Sequence, residues 1–112
     1  MKIKRQSLID IEALIERSFD VNITVQQLNV KRHKVMCWGI PKYNNFKDGM
    51  LLFEVTGLKF QGWVVITLSW MDTYTVRYYN FSMDKEILEM DTDVYCDDLT
   101  DIIDAKIEHD EN

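Results

Sequence analysis

Four side chains have the chemistry to hold a transition metal: His33, Cys37, Cys96 and His109. Zinc takes a tetrahedral set of imidazoles and thiolates. His33 and Cys37 have the spacing of a ligand pair. Cys96 and His109 stand at opposite ends of a segment read as one helix, ~20 Å apart by helical rise, so one ion cannot take both. No metal or other cofactor is expected. Calcium fares no better. Asp91-Thr92-Asp93 opens like a calcium loop, but that pattern next needs an oxygen ligand where Tyr95 stands, a glycine where Cys96 stands and a glutamate where Ile102 stands. The triplet reads instead as a helix N-cap.

A nucleophilic thiol is the next chemistry to weigh. Cys96 lies close to the start of the expected C-terminal helix, where the dipole favours a thiolate. Asp93, Asp97 and Asp98 oppose that charge. Cys37 has Arg32, His33 and Lys34 beside it but closes an apolar run, the setting of a core thiol. Acids are abundant, yet carboxylates along a solvated helix face do not converge on a pocket, and a general acid needs burial to raise its pKa. Only Glu54, between Phe53 and Val55, is unusual, and strand alternation turns it to the outer face of the sheet. The four glycines are isolated, so no loop cradles a phosphate, and no nucleophile elbow is present. The expectation is a protein without catalysis.

The elements around these residues follow from periodicity. Ser7 and Asp10 form a capping box ahead of Leu8, Ile11, Leu14, Ile15 and Phe19, which predicts a helix over 7–18. Residues 21–32 alternate like a strand at Val21, Ile23 and Val25, but Thr24 and Gln27 also fit the cap of a short helix. Val35 to Trp38 reads as a strand stopped by Gly39-Ile40-Pro41, and Pro41 to Gly49 as a polar loop. Met50–Phe60, Trp63–Trp70, Tyr74–Phe81 and Glu86–Met90 are β-branched and aromatic, with short separators that make antiparallel neighbours. A final helix is expected over 94–108, with Tyr95, Leu99, Ile102, Ile103 and Lys106 on one stripe. The whole is one α+β domain, residues 1–112. It is a two-layer sandwich: an antiparallel meander of four or five strands with the N-terminal and C-terminal helices packed on it.

Strand alternation sorts the sheet into two faces. Leu51, Phe53, Val55, Val64, Ile66, Leu68 and Trp70 form the expected core face. The opposite face carries Trp63, Arg77, Tyr79 and Phe81, too apolar for water alone. Either a second layer drawn from residues 20–48 covers it, or it meets a protein partner or a second copy of the chain.

Charge narrows the partners. The chain has 112 residues and net charge −6. Residues 1–62 hold 10 bases against 6 acids, and residues 63–112 hold 3 against 13. Asp97, Asp98, Asp101, Asp104 and Glu108 make an acidic helix face, which serves solubility or a basic partner. Acidity of this kind repels phosphate backbones, so nucleic acid is disfavoured, and Lys31–Lys34 is the one stretch suited to a phosphate contact. Asp10, Glu12 and Glu16 interrupt any signal-peptide core, and no apolar run reaches the ~18 residues of a membrane span. Two thiols without a disulfide framework fit the reduced cytoplasm.

Gly62-Trp63-Val64-Val65-Ile66-Thr67-Leu68, Asp72-Thr73-Tyr74 and the stretch from Asp93-Val94-Tyr95-Cys96-Asp97-Asp98-Leu99 to Ile103-Asp104 resemble small uncharacterised proteins of Bacteroidetes genomes and their mobile elements. That resemblance covers residues 62–108. It implies a bacterial cytosolic protein and brings no site residues. The expected function is binding of another protein, a basic one included, or self-association. The alternative is an acidic inhibitor or nucleic-acid mimic acting on a DNA- or RNA-binding protein.

Overall fold

The computed structural model describes residues 12–83 and 85–108. Its centre is a five-stranded antiparallel sheet in sequential order: β1 (Asn44–Phe46), β2 (Met50–Thr56), β3 (Gln61–Leu68), β4 (Tyr74–Tyr79) and β5 (Glu86–Val94). Helices α1 (Val21–Leu28), α2 (Arg32–Val35) and α3 (Leu99–Ile107) complete an α+β fold. The β2–β3–β4 register sets Leu51 opposite Ile66, Phe53 opposite Val64 and Val64 opposite Tyr78, so the expected core face forms as alternation requires. Val21, Leu28, Val35 and Trp38 from the first helical stretch, and Leu99, Ile103 and Ile107 from α3, bury against it. Trp38 stacks on Phe53 with ring centroids 6.2 Å apart, and Phe60 meets Tyr78 edge-on at 5.8 Å.

Residues 21–38 resolve as helix throughout, in α1, a 3₁₀ turn (Asn29–Lys31), α2 and a second 3₁₀ turn (Met36–Trp38). The strand expected at Val35–Trp38 is therefore corrected. Val35 and Trp38, three residues apart, face the core, while Met36 and Cys37 face solvent, which is helical rather than alternating burial. The cap is Asp20, not Thr24: its carboxylate accepts from the N–H groups of Asn22 (3.0 Å) and Ile23 (3.4 Å). Gly39 ends the stretch in the left-handed region, φ 70°.

The expected loop at Pro41–Gly49 contains β1. Lys47 and Asp48, both at φ 54°, form the tight turn into β2, closed by the Gly49 N–H donating to the Phe46 carbonyl at 3.1 Å. Of the helix expected over 7–18, residues 7–11 lie outside the described residues; Glu12 is helical and 13–14 form a turn, but 15–18 are not helical, so that expectation is corrected there, and the Phe19 N–H donates to the Asp48 carbonyl at 2.8 Å.

The C-terminal helix also starts later than periodicity implies. β5 runs on through Asp91-Thr92-Asp93 to Val94, a 3₁₀ turn follows at Cys96–Asp98, and α3 begins at Leu99. Tyr78 pairs with Leu88, Val76 with Asp91 and Tyr74 with Val94, so each two-residue step on β4 is matched by three on β5. Bulges at these two steps, and a third register shift between Tyr78 and Tyr79, absorb the extra residues, with Asp93 at φ 56°. Leu88, Asp91 and Val94 thereby all turn inward at a three-residue spacing that imitates a helix.

Within residues 20–48 the helical stretch covers the first face, and Phe46 packs on the second. On the second face Met50, Leu52, Trp63, Val65 and Met83 are buried, with Leu14, Ile15, Phe46 and Tyr79 packed against them. At the far end of the sheet, Gly57 lies so close to the Ile107 carbonyl that a Cβ there would overlap it. The Lys59 N–H donates to that same carbonyl at 2.8 Å, which ties the end of α3 to the β2–β3 turn. Gly57→Ala is expected to destabilise the protein by about 1–3 kcal/mol, because backbone rather than a mobile side chain must yield. Urea unfolding followed by tryptophan fluorescence measures it.

Candidate interaction surface

The residues proposed from sequence as an apolar interaction face do not make one continuous open patch. Trp63 is only 4% exposed, and its indole N–H donates to the Phe81 carbonyl at 3.1 Å. Arg77, Tyr79 and Phe81 are half-buried. Arg77 reaches Thr67 Oγ1 at 3.5 Å along the sheet, and Glu54 sits opposite Trp63 on the same face.

The acidic face divides in two. Asp101 is held by Lys31 and Lys34, the latter at 2.8 Å, and Asp104 accepts the indole N–H of Trp38 at 3.0 Å. These two acids thus bind the first helical stretch to α3. The hydrogen bond from Lys34 holds the Lys34 ammonium above its ordinary range, and those from Lys31 and Lys34 hold the Asp101 carboxyl below its own. The Lys31–Lys34 cluster, expected to be the site for a phosphate, therefore spends two of its cations inside the protein. Asp97 and Asp98 stay exposed, and Glu108 is half-buried at the end of α3.

A second polar knot joins β4, β5 and α3. The Tyr78 hydroxyl donates to Asp91 at 2.7 Å, and Lys106 Nζ lies 3.3 Å from the same carboxylate and 4.9 Å from the Tyr78 ring centroid. Burial, and then the bond to Asp91, raise the Tyr78 phenol far above its ordinary value. Burial also raises Tyr43, Tyr74 and Tyr79.

The exposed apolar residues collect elsewhere. The β3–β4 connection is a three-residue hairpin: the Ser69 N–H donates to the Thr73 carbonyl at 2.8 Å, and Asp72 takes the left-handed position at φ 62°. Trp70 and Met71 project from it at 71% and 81% exposure. Trp70 was expected to continue the core face of β3, but that strand ends at Leu68. Arg17 lies 5.7 Å above the Trp70 ring and pairs with Asp72 at 2.6 Å. The pairing of Tyr74 with Val94 brings Tyr95 to this same end of the sheet, 64% exposed rather than on the inner helix stripe. The sequence signal for the Trp70 site was turn chemistry, Ser69 and Asp72 bracketing two large apolar residues.

Between α1 and the Cys96–Asp98 turn lies a cleft of about 240 Å³, lined by Gln27, Val30, Lys31, Cys96, Asp97 and Thr100. Cys37 and Cys96 are both free thiols, and the Cys37 Sγ lies 3.7 Å from the His33 carbonyl of its own helical turn. Among the described residues no three His, Cys, Asp or Glu side chains converge to hold a metal ion. Among them, too, no helix is long and apolar enough to cross a membrane. His109 lies outside the described residues.

No protein-family model, curated protein or solved structure matches the chain.

Two outcomes test these assignments. Asp104→Ala leaves the Trp38 indole N–H without its acceptor and is expected to cost about 1–3 kcal/mol, whereas Asp97→Asn with Asp98→Asn stays within about 0.5 kcal/mol of the parent in the same thermal melts. The raised phenols set the alkaline limit. A tyrosine whose folded pKa exceeds its unfolded one contributes stability that is complete below its ordinary value of 10.0 and is lost as pH rises beyond it. Phenolate absorbance from these four rings should appear together with unfolding, and Tyr78→Phe should flatten the loss of stability above pH 10.0.

Proposed function

We propose that this is a small non-enzymatic protein of the bacterial cytoplasm that acts by binding another protein through one end of its sheet. The observation that carries this reading is the grouping of Trp70, Met71 and Tyr95 in water at that end. Large side chains at hairpin tips and strand ends are free to be polar. Apolar ones there cost solubility and, apart from the Arg17 contact over the Trp70 ring, return little to the fold, whereas aromatic residues and methionine are favoured at interface centres. The two free, exposed thiols suit a reducing compartment.

The acidic-inhibitor reading has a narrower basis. Two acids of its five-residue patch are spent on Lys31, Lys34 and Trp38, which leaves Asp97 and Asp98 as its exposed carboxylates, with Asp93 nearby. A basic partner remains in keeping with these.

Affinity capture from host lysate, run beside a Trp70→Ser, Met71→Ser double variant, tests the main reading. The parent chain is expected to retain a defined protein, or a second copy of itself, that the variant loses with its melting temperature unchanged. Equal recovery by both forms, or none by either together with a monomeric sedimentation profile, would overturn it.

A further inference from the structure

We infer that His33, Met36 and Cys37 form a surface site for one soft monovalent metal ion, Cu(I), held by an imidazole, a thioether and a thiolate. The site is independent of the protein-binding reading above.

Helical backbone brings the three donors together. In a strand, Met36 and Cys37 would point to opposite sides of the chain. α2 and the 3₁₀ turn after it instead put positions 33, 36 and 37 at i, i+3 and i+4, neighbours on one side of a helical turn. Burial of Val35 and Trp38 decides which side that is: His33, Met36 and Cys37 are all exposed, Met36 at 71%. Helical side chains lean toward the N-terminus, and the Cys37 Sγ does so, 3.7 Å from the His33 carbonyl. The frame is held from behind. Trp38 is fully buried, stacks on Phe53 and donates its indole N–H to Asp104 at 3.0 Å, and Gly39 closes the stretch. The Cβ atoms of such neighbours stand about 5–6 Å apart, a gap that an ion with bonds of about 2.0–2.3 Å to nitrogen and sulfur closes by side-chain rotation alone.

Donor chemistry selects the ion. Magnesium and calcium need oxygen ligands, and residues 32–38 contain no carboxylate. Zinc needs a tetrahedral set of imidazole, thiolate and carboxylate, and among the described residues no third His, Cys, Asp or Glu joins His33 and Cys37. Cu(I) takes thiolate and thioether together and is stable with three ligands. Met36 belongs to neither buried cluster of the described residues, so its sulfur is free for this role. Charge points the same way. The Cys37 thiol gives its proton to water on binding, and the thiolate then cancels the single charge of the ion. The filled site is neutral beside the exposed Arg32, where a divalent ion would leave a positive charge. Lys31 and Lys34 are both held by Asp101.

Anaerobic titration of the reduced full chain with Cu(I), in competition with a chromogenic Cu(I) chelator, tests this. The parent is expected to take one ion per chain, to gain thiolate-to-copper absorbance in the near ultraviolet and to sediment as it does without copper. Cys37→Ser should weaken uptake roughly a hundredfold or more, and His33→Gln and Met36→Leu roughly tenfold each. Cys96→Ser should bind like the parent. All four positions are exposed, so these variants keep the fold, which thermal melts check. Absence of uptake by the parent, loss of uptake with Cys96→Ser, or a copper-linked pair of chains would overturn the site. So would a His33→Gln or Met36→Leu variant that binds as tightly as the parent, since the ion would then sit on a thiol without the other donors.

Discussion

Strand β3 has no side that tolerates water. From Gly62 to Thr67 every residue is buried, with Val64 and Ile66 turned to one layer and Trp63 and Val65 to the other. A strand of that kind must be central and must be covered twice. The chain meets the demand unequally. Three helices and two 3₁₀ turns close over one face, and the other draws on Leu14, Ile15, Phe46 and Met83. Nearly every other feature of the fold serves to place those covers.

The helical cover is itself held by charge. α3 carries apolar residues toward the sheet and acids along its flank. Asp101 and Asp104 meet Lys31, Lys34 and Trp38 from the first helical stretch, so the two halves of the layer are tied to each other as well as to the strands below. Such pairs are half-exposed and each contributes little by itself. Their effect is to fix orientation, and in doing so they determine what remains outside: Asp97 in the wall of a small cleft, the exposed Asp93 and Asp98, and Trp70, Met71 and Tyr95 at the sheet end.

The strands β2 to β4 and their two faces were legible because alternation of β-branched and aromatic residues is a local signal and the separators are short. Two misreadings have physical causes. Val35-Met36-Cys37-Trp38 is an uninterrupted apolar run, which does not distinguish strand from helix, and the deciding fact is the distant Phe53 ring on which Trp38 stacks. In β5 the bulges give inward residues at a period of three, so Asp91 and Asp93 looked like a helix start when Asp91 is a core-facing acid bonded to Tyr78. The partners of Lys31, 70 residues away, leave no trace in local pattern. Trp70 was assigned to the core by extending alternation past the end of its strand, where turn geometry had already taken over.

The bulges in β5 also bear on growth. An outer strand is ordinarily a template, since a new chain can be hydrogen-bonded along it residue by residue and offer the same template in turn. Here the regular spacing of donors and acceptors is broken three times within nine residues, and Glu86, Glu89 and Asp93 bring like charges to every copy that approaches. At the opposite border β1 is three residues long. The sheet therefore terminates itself at both margins, and a molecule with this much apolar surface on its tips is kept from polymerising through its strands.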